Sequence, residues 1–181
     1  MNAAAPSPAP LAGLASGSAI DRAERWLLRG EMAVSVAALA VIMATVAISV
    51  AARALLLPIP NLTEWAVTAM SALTFLGASA CTALRRHINI EVVDLLPAGA
   101  LRFAAHLASL LAQLVFGVMF AITAWGFFDY ALDSGEKLID LGTPVALPSG
   151  LMVAGAALIA LHAALAIYRL VAGRPALEFA Q

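Results

Sequence analysis

The sequence predicts an all-α integral membrane protein with four transmembrane helices, short interfacial amphipathic helices, and both termini in the cytoplasm. Three observations carry this. Of 181 residues, 63% are hydrophobic, 12% are charged, and the mean hydropathy is +0.96, whereas a soluble domain is about half apolar and a quarter charged. Four stretches, 32–52, 65–84, 103–128 and 141–168, lack Asp, Glu, Lys and Arg altogether. Each is long enough as a helix for a hydrocarbon core of about 30 Å, and their unbroken apolarity argues against the alternating pattern of a membrane barrel. Arg22, Arg25, Arg29, Arg85, Arg86, Arg102, Arg169 and Arg174 fall on one predicted side, and only Arg53 and Lys137 on the other. Basic residues remain on the cytoplasmic side, which orients the chain.

Residues 1–20, an Ala/Pro/Ser/Gly tract without charge, read as a disordered tail. They lack the basic opening of a secretory signal. Residues 21–181 form one four-helix membrane domain with spans near 32–52, 65–84, 103–128 and 145–168. SAIDRAERWLLRG (18–30) reads as a short interfacial helix, with Ser18 and Asp21 in a capping-box pattern, an Asp21–Arg25 pair four apart, and Trp26 at the membrane–water boundary. In the first span Ala33, Ala37, Ala40, Ala44, Ala47 and Ala51 recur at heptad spacing, a slim face suited to close helix packing.

Pro58 and Pro60 separate the first two spans. Asn61 is placed to cap the second, and Glu64 follows at its positive dipole end, within reach of Arg53. Gly77, Ala78, Ser79 and Ala80 make a second slim patch. The segment ALRRHINIEVVDLLP (83–97) then gathers the densest polar cluster in the sequence. Arg85 and Arg86 act as a topological stop at headgroup depth. His87, Glu91 and Asp94 share one face of a short surface helix, ended by Pro97 and Gly99. The third span holds His106 and Gln113, with Trp125 and Tyr130 at its far end. A DSGE turn (133–136) follows, then TPVALPSG (143–150) leads into the fourth span, which holds His162 and closes on Tyr168 and Arg169.

The sequence contains no nucleophile elbow, phosphate loop, HExxH or GxGxxG, so no catalytic residue is assigned. The near-zero net charge and scattered basic residues give no nucleic-acid face. Cys81 stands alone, which excludes an intramolecular disulfide and an all-cysteine metal site. His87 with Glu91 supplies only two ligands, so neither a metal nor a cofactor site is assigned. One competing reading gives His106 and His162 a shared depth on neighbouring antiparallel spans, as in a respiratory-complex anchor ligating a b-type haem. A carrier acting alone is disfavoured, because the spans hold no ionisable group near the bilayer midplane.

The run from Ala52 to Pro97 resembles the small membrane subunit, DctQ type, of tripartite ATP-independent periplasmic (TRAP) transporters. The resemblance rests on Arg53, the Pro/Asn/Thr loop, Glu64, Phe75 to Ala78, Arg86 with His87, and the Ile-x-Val-type run through Asp94 to Leu96. TPVALPSG resembles the same family. The acidic position is a single Glu followed by Trp65, where many relatives carry two acids. The resemblance implies a non-catalytic inner-membrane subunit that scaffolds a large membrane subunit. A periplasmic binding protein would deliver a small organic carboxylate, with sodium ions bound by the large subunit and phospholipid around both. By their positions at the membrane edges and on slim or polar helix faces, Arg53, Glu64, Gly77, Arg85, Arg86, His87, Glu91 and Asp94 are the residues expected to contact a partner or lipid.

Overall fold

The computed structural model describes residues 19–58, 60, 62–84 and 99–173. The described residues form four helices: α1 (Ala19–Ala54), α2 (Thr63–Ala83), α3 (Ala100–Ser134) and α4 (Ala146–Val171). All four are long and apolar enough to cross a membrane. The tract 1–18 and the polar segment 85–98 lie outside the described residues.

α1 has 36 residues and α3 has 35, about 54 and 52 Å of helix at 1.5 Å per residue. Both outrun a hydrocarbon core of about 30 Å. The separate interfacial helix expected over 18–30 does not form, because Ala19–Gly30 is the first third of α1. No proline interrupts that stretch, and the acids that mark it as interfacial find partners inside the bundle.

α1 leaves its helix through a Schellman turn. Leu57 N–H donates to Ala52 O (2.9 Å) and Leu56 N–H to Arg53 O (3.3 Å). Leu56 takes the left-handed position (φ 54°) that glycine usually fills, and Pro58 follows where the helix has stopped. Leu62 occupies the N-cap of α2 and makes no side-chain cap bond. Asn61, the expected cap, is outside the described residues.

α1 packs on α2, α2 on α4, and α4 on α3. α1 and α4 do not approach closely along their backbones and meet only through long side chains. Ala38, Ala69, Ala72 and Leu76 form the central apolar cluster, with Ile42, Leu73, Leu151 and Leu158 against it. Lipid tails are as apolar as the side chains, so burial of hydrocarbon drives association weakly and close contact matters more. Gly155 meets Phe75 so tightly that a Cβ there would lie 2.7 Å from the Phe75 carbonyl carbon, and one on Gly117 would lie 2.9 Å from the Ala160 nitrogen. α3 also reaches α2 through Phe75–Phe120 (centroids 5.7 Å apart) and Gln113 Nε2, which donates to Thr82 Oγ1 at 3.2 Å.

The alanine face of α1 lies elsewhere. Ala33, Ala37, Ala40, Ala44, Ala47 and Ala51 are all exposed on the isolated chain, while Leu28, Glu31, Ala38 and Ala52 are buried. The two faces share one heptad rhythm but are two residues out of phase, roughly 200° round the helix. Among the described residues nothing covers the seam. Gly77 is similar: a Cβ there would meet nothing within 4 Å.

Candidate functional site: a buried ion-pair lock and a stapled loop

The polar chemistry of the described residues gathers at opposite ends of the bundle. At the end holding the start of α1 and the close of α4, five charged or ionisable side chains interlock. Glu24 and Glu31 stand seven residues apart, two turns along one face of α1. His162 and Arg169 stand seven apart on α4. The helices run antiparallel, so Glu24 falls opposite Arg169 and Glu31 opposite His162. The imidazole bridges both acids, with Nδ1 3.3 Å from Glu24 Oε1 and Nε2 3.0 Å from Glu31 Oε1. Arg169 Nη2 donates to Asp21 Oδ1 at 3.0 Å and to Glu24 Oε2.

Burial makes this arrangement consequential. The His162 side chain is 0% exposed, Glu24 and Glu31 are each 3%, and Arg169 is 9%. A lone ionised group in such surroundings costs several kcal/mol. Each therefore depends on its neighbours, and an ionised carboxylate can only accept. The two contacts of His162 are both hydrogen bonds when the ring donates from both nitrogens, as an imidazolium. Two cations then face three carboxylates, with Asp21, the most exposed at 26%, at the rim.

This geometry removes the basis for the haem reading. Both ring nitrogens of His162 lie against carboxylate oxygens, which leaves no lone pair for an iron. His106 is partly buried near the start of α3. Among the described residues no group of three or more His, Cys, Asp or Glu is arranged to hold a metal.

At the other end Glu64, placed by the sequence at the positive dipole end of α2, turns to the connection between α3 and α4. It is 5% exposed. Its Oε2 accepts from Thr143 N–H at 3.1 Å and its Oε1 from Asp140 N–H. These amides belong to the α3–α4 connection, which is shaped by a bridge between Lys137 and Pro144 and by Gly135 and Gly142 at positive φ (62° and 73°). Leu138 N–H to Thr143 O (2.9 Å) and Val145 N–H to Glu136 O (3.0 Å) close it. Glu64 thus staples the loop onto the first turn of α2. Arg53 is exposed at the end of α1, where it lines a cavity of about 150 Å³ with Thr45, Ser49 and Thr63.

Of the remaining residues singled out in the sequence, Arg85, Arg86, His87, Glu91 and Asp94 lie outside the described residues. The sequence reading missed Asp21, Glu24, Glu31 and Arg169 as partners. The available signal was the repeated spacing of seven: two acids near the start of one apolar helix, and a histidine and an arginine near the end of another.

Comparison with known proteins agrees with this architecture. Among curated proteins there is no match. The family described as "Tripartite ATP-independent periplasmic transporters, DctQ component" matches residues 42–173, about three quarters of the chain. The match takes in Glu64, His162 and Arg169 and begins within α1, beyond Asp21, Glu24 and Glu31. With four helices able to span a bilayer and a match of this extent, the chain is a multi-pass membrane protein and belongs to the DctQ component family of TRAP transporters.

Proposed function

We propose that this chain is the non-catalytic small permease subunit of a sodium-coupled TRAP transporter, bracing a large membrane subunit that carries the solute. The family match is the observation that supports the reading most. The architecture is compatible with it. The buried charges of the lock, Glu24, Glu31, His162 and Arg169, pair with one another, as suits a scaffold better than a carrier. Most of the length of α1 is left uncovered by the other described residues, surface available to a larger companion or to lipid.

In this reading the solute is a small organic carboxylate delivered by a periplasmic binding protein. Sodium ions bind the large subunit, and the small subunit carries no cofactor of its own. The excess of arginines on one side favours an inner-membrane placement with both termini in the cytoplasm. Arg85 and Arg86 then lie at the cytoplasmic headgroups, and His87, Glu91 and Asp94 contact the large subunit or lipid phosphate.

Affinity purification of the full chain from native membranes tests the assignment. A large multi-span membrane protein co-elutes if it is right, and recovery of a respiratory flavoprotein or iron–sulfur partner in its place refutes it. Replacing His87, Glu91 and Asp94 together by alanine reduces co-purification and uptake; full assembly and uptake would remove any specific role for those three.

A further inference from the structure

Helical serines and threonines in this protein commonly turn the hydroxyl back on their own helix. Thr45 donates to Val41 O, Ser71 to Val67 O, Thr82 to Ala78 O, Thr123 to Met119 O and Ser149 to Val145 O. Ser35, Ser49, Thr68 and Ser79 depart from this habit, and of these Ser35 and Ser79 lie toward the end of the bundle that holds the lock. Their hydroxyl oxygens are buried with no hydrogen-bond partner, and Glu31 Oε2 is in the same condition. Ser79 is 0% exposed and Glu31 4%. A buried polar atom without a partner costs about 1–3 kcal/mol, and native proteins rarely tolerate one.

The three atoms come from two helices, α1 and α2, which pack on each other. Ala38 of α1, Leu76 of α2 and Leu158 of α4 belong to the same apolar cluster. Ser35 is one turn from Ala38, Ser79 one turn from Leu76, and His162 one turn from Leu158, each displaced toward the same end of the bundle. Glu31 lies a further turn along from Ser35 on the same face, and its other oxygen holds His162 at 3.0 Å. The layer below the cluster is therefore polar on α1, α2 and α4 together.

We propose that Glu31 Oε2, Ser35 Oγ and Ser79 Oγ bind one ordered water molecule at this three-helix junction. The water accepts from the two hydroxyls and donates to the carboxylate, the roughly three bonds that a buried water makes. A metal cation suits the place less well, since the carboxylate already faces the His162 ring and a second positive charge would oppose the imidazolium. The water ties α2 into the charged lock that otherwise joins only α1 to α4.

Hydroxyl-radical footprinting by X-ray pulses on the full chain in native membranes tests this. Radicals form at bound water, so His162 labels readily despite its burial, while Leu76 in the dry cluster does not. Replacing Ser35 and Ser79 together by alanine, which keeps the helices intact, lowers His162 labelling severalfold. Exchanging sodium for potassium or choline leaves it unchanged. An unlabelled His162, labelling indifferent to the two hydroxyls, or labelling that follows the cation supplied would each overturn the proposal.

Discussion

Replacing Arg169 by glutamine is the most direct challenge to the ion-pair lock. The substitution keeps length and some hydrogen bonding but removes the cation shared by Asp21 and Glu24. Asp21 is 26% exposed and can regain water; Glu24, at 3%, cannot. Removing one partner of a buried pair costs about 3–5 kcal/mol. His162 still faces Glu24 at 3.3 Å, which places the loss near the lower bound, about 3 kcal/mol. Unfolding of the purified full chain by sodium dodecyl sulfate in mixed micelles measures it. The double-mutant cycle with Glu24→Gln sharpens the result. Once both charges are gone, the penalty of an abandoned ion goes with them, so the double variant is more stable than the two single losses added, by about 1–3 kcal/mol. Arg22→Gln, at an exposed position of α1, stays within about 0.5 kcal/mol of the parent. An Arg169→Gln variant as stable as the Arg22 control, or strict additivity in the cycle, would refute the claim that these charges depend on one another.

Three further outcomes follow from the packing. Gly155→Ala drives a Cβ into the Phe75 backbone and lowers stability by about 1–3 kcal/mol in the same unfolding assay, whereas Gly126→Ala, with nothing within 4 Å, loses nothing. Glu64→Gln presents an amide N–H₂ where two backbone N–H groups need acceptors; amide hydrogen exchange at Asp140 and Thr143 rises by roughly tenfold while exchange in mid-α4 is unchanged. Leu56→Gly relieves a left-handed φ of 54° in a side chain that is 90% exposed, and raises stability by about 1 kcal/mol; a loss there would mean that the leucine side chain contributes more than its backbone costs.

The four spans are legible because solubility in hydrocarbon is a property of composition over about twenty residues, and charge-free runs measure it directly. Their ends are less so. Glu31 reads as a boundary since an isolated acid does not enter lipid, but His162 neutralises it and the helix runs on beneath. Glu64 has the local chemistry of a helix cap, and only the fold brings it the amides of Asp140 and Thr143, 76 and 79 residues away. The alanine seam shows the limit of periodicity: α1 carries two heptad-spaced faces, and the choice between them was made by residues on α2 and α4. Small size marked the outward face, whereas the inward one is a mixture of Leu28, Glu31, Ala38 and Ala52. In the same way, the tightest helix contacts use Gly117 and Gly155, not the Gly77 patch.

The distance in sequence between the halves of the lock has a consequence for biosynthesis. Glu24 and His162 are 138 residues apart, so α1 leaves the ribosome long before its counter-charges exist. At about 5–20 residues per second, its acids wait roughly seven to thirty seconds for α4. During that interval the first helix cannot settle at its final depth without stranding carboxylates in oil, and is best held by the insertion machinery or left shallow. Arrival of the last span then acts as a latch on the first, and a nascent chain truncated before Arg169 is a natural target for membrane quality control.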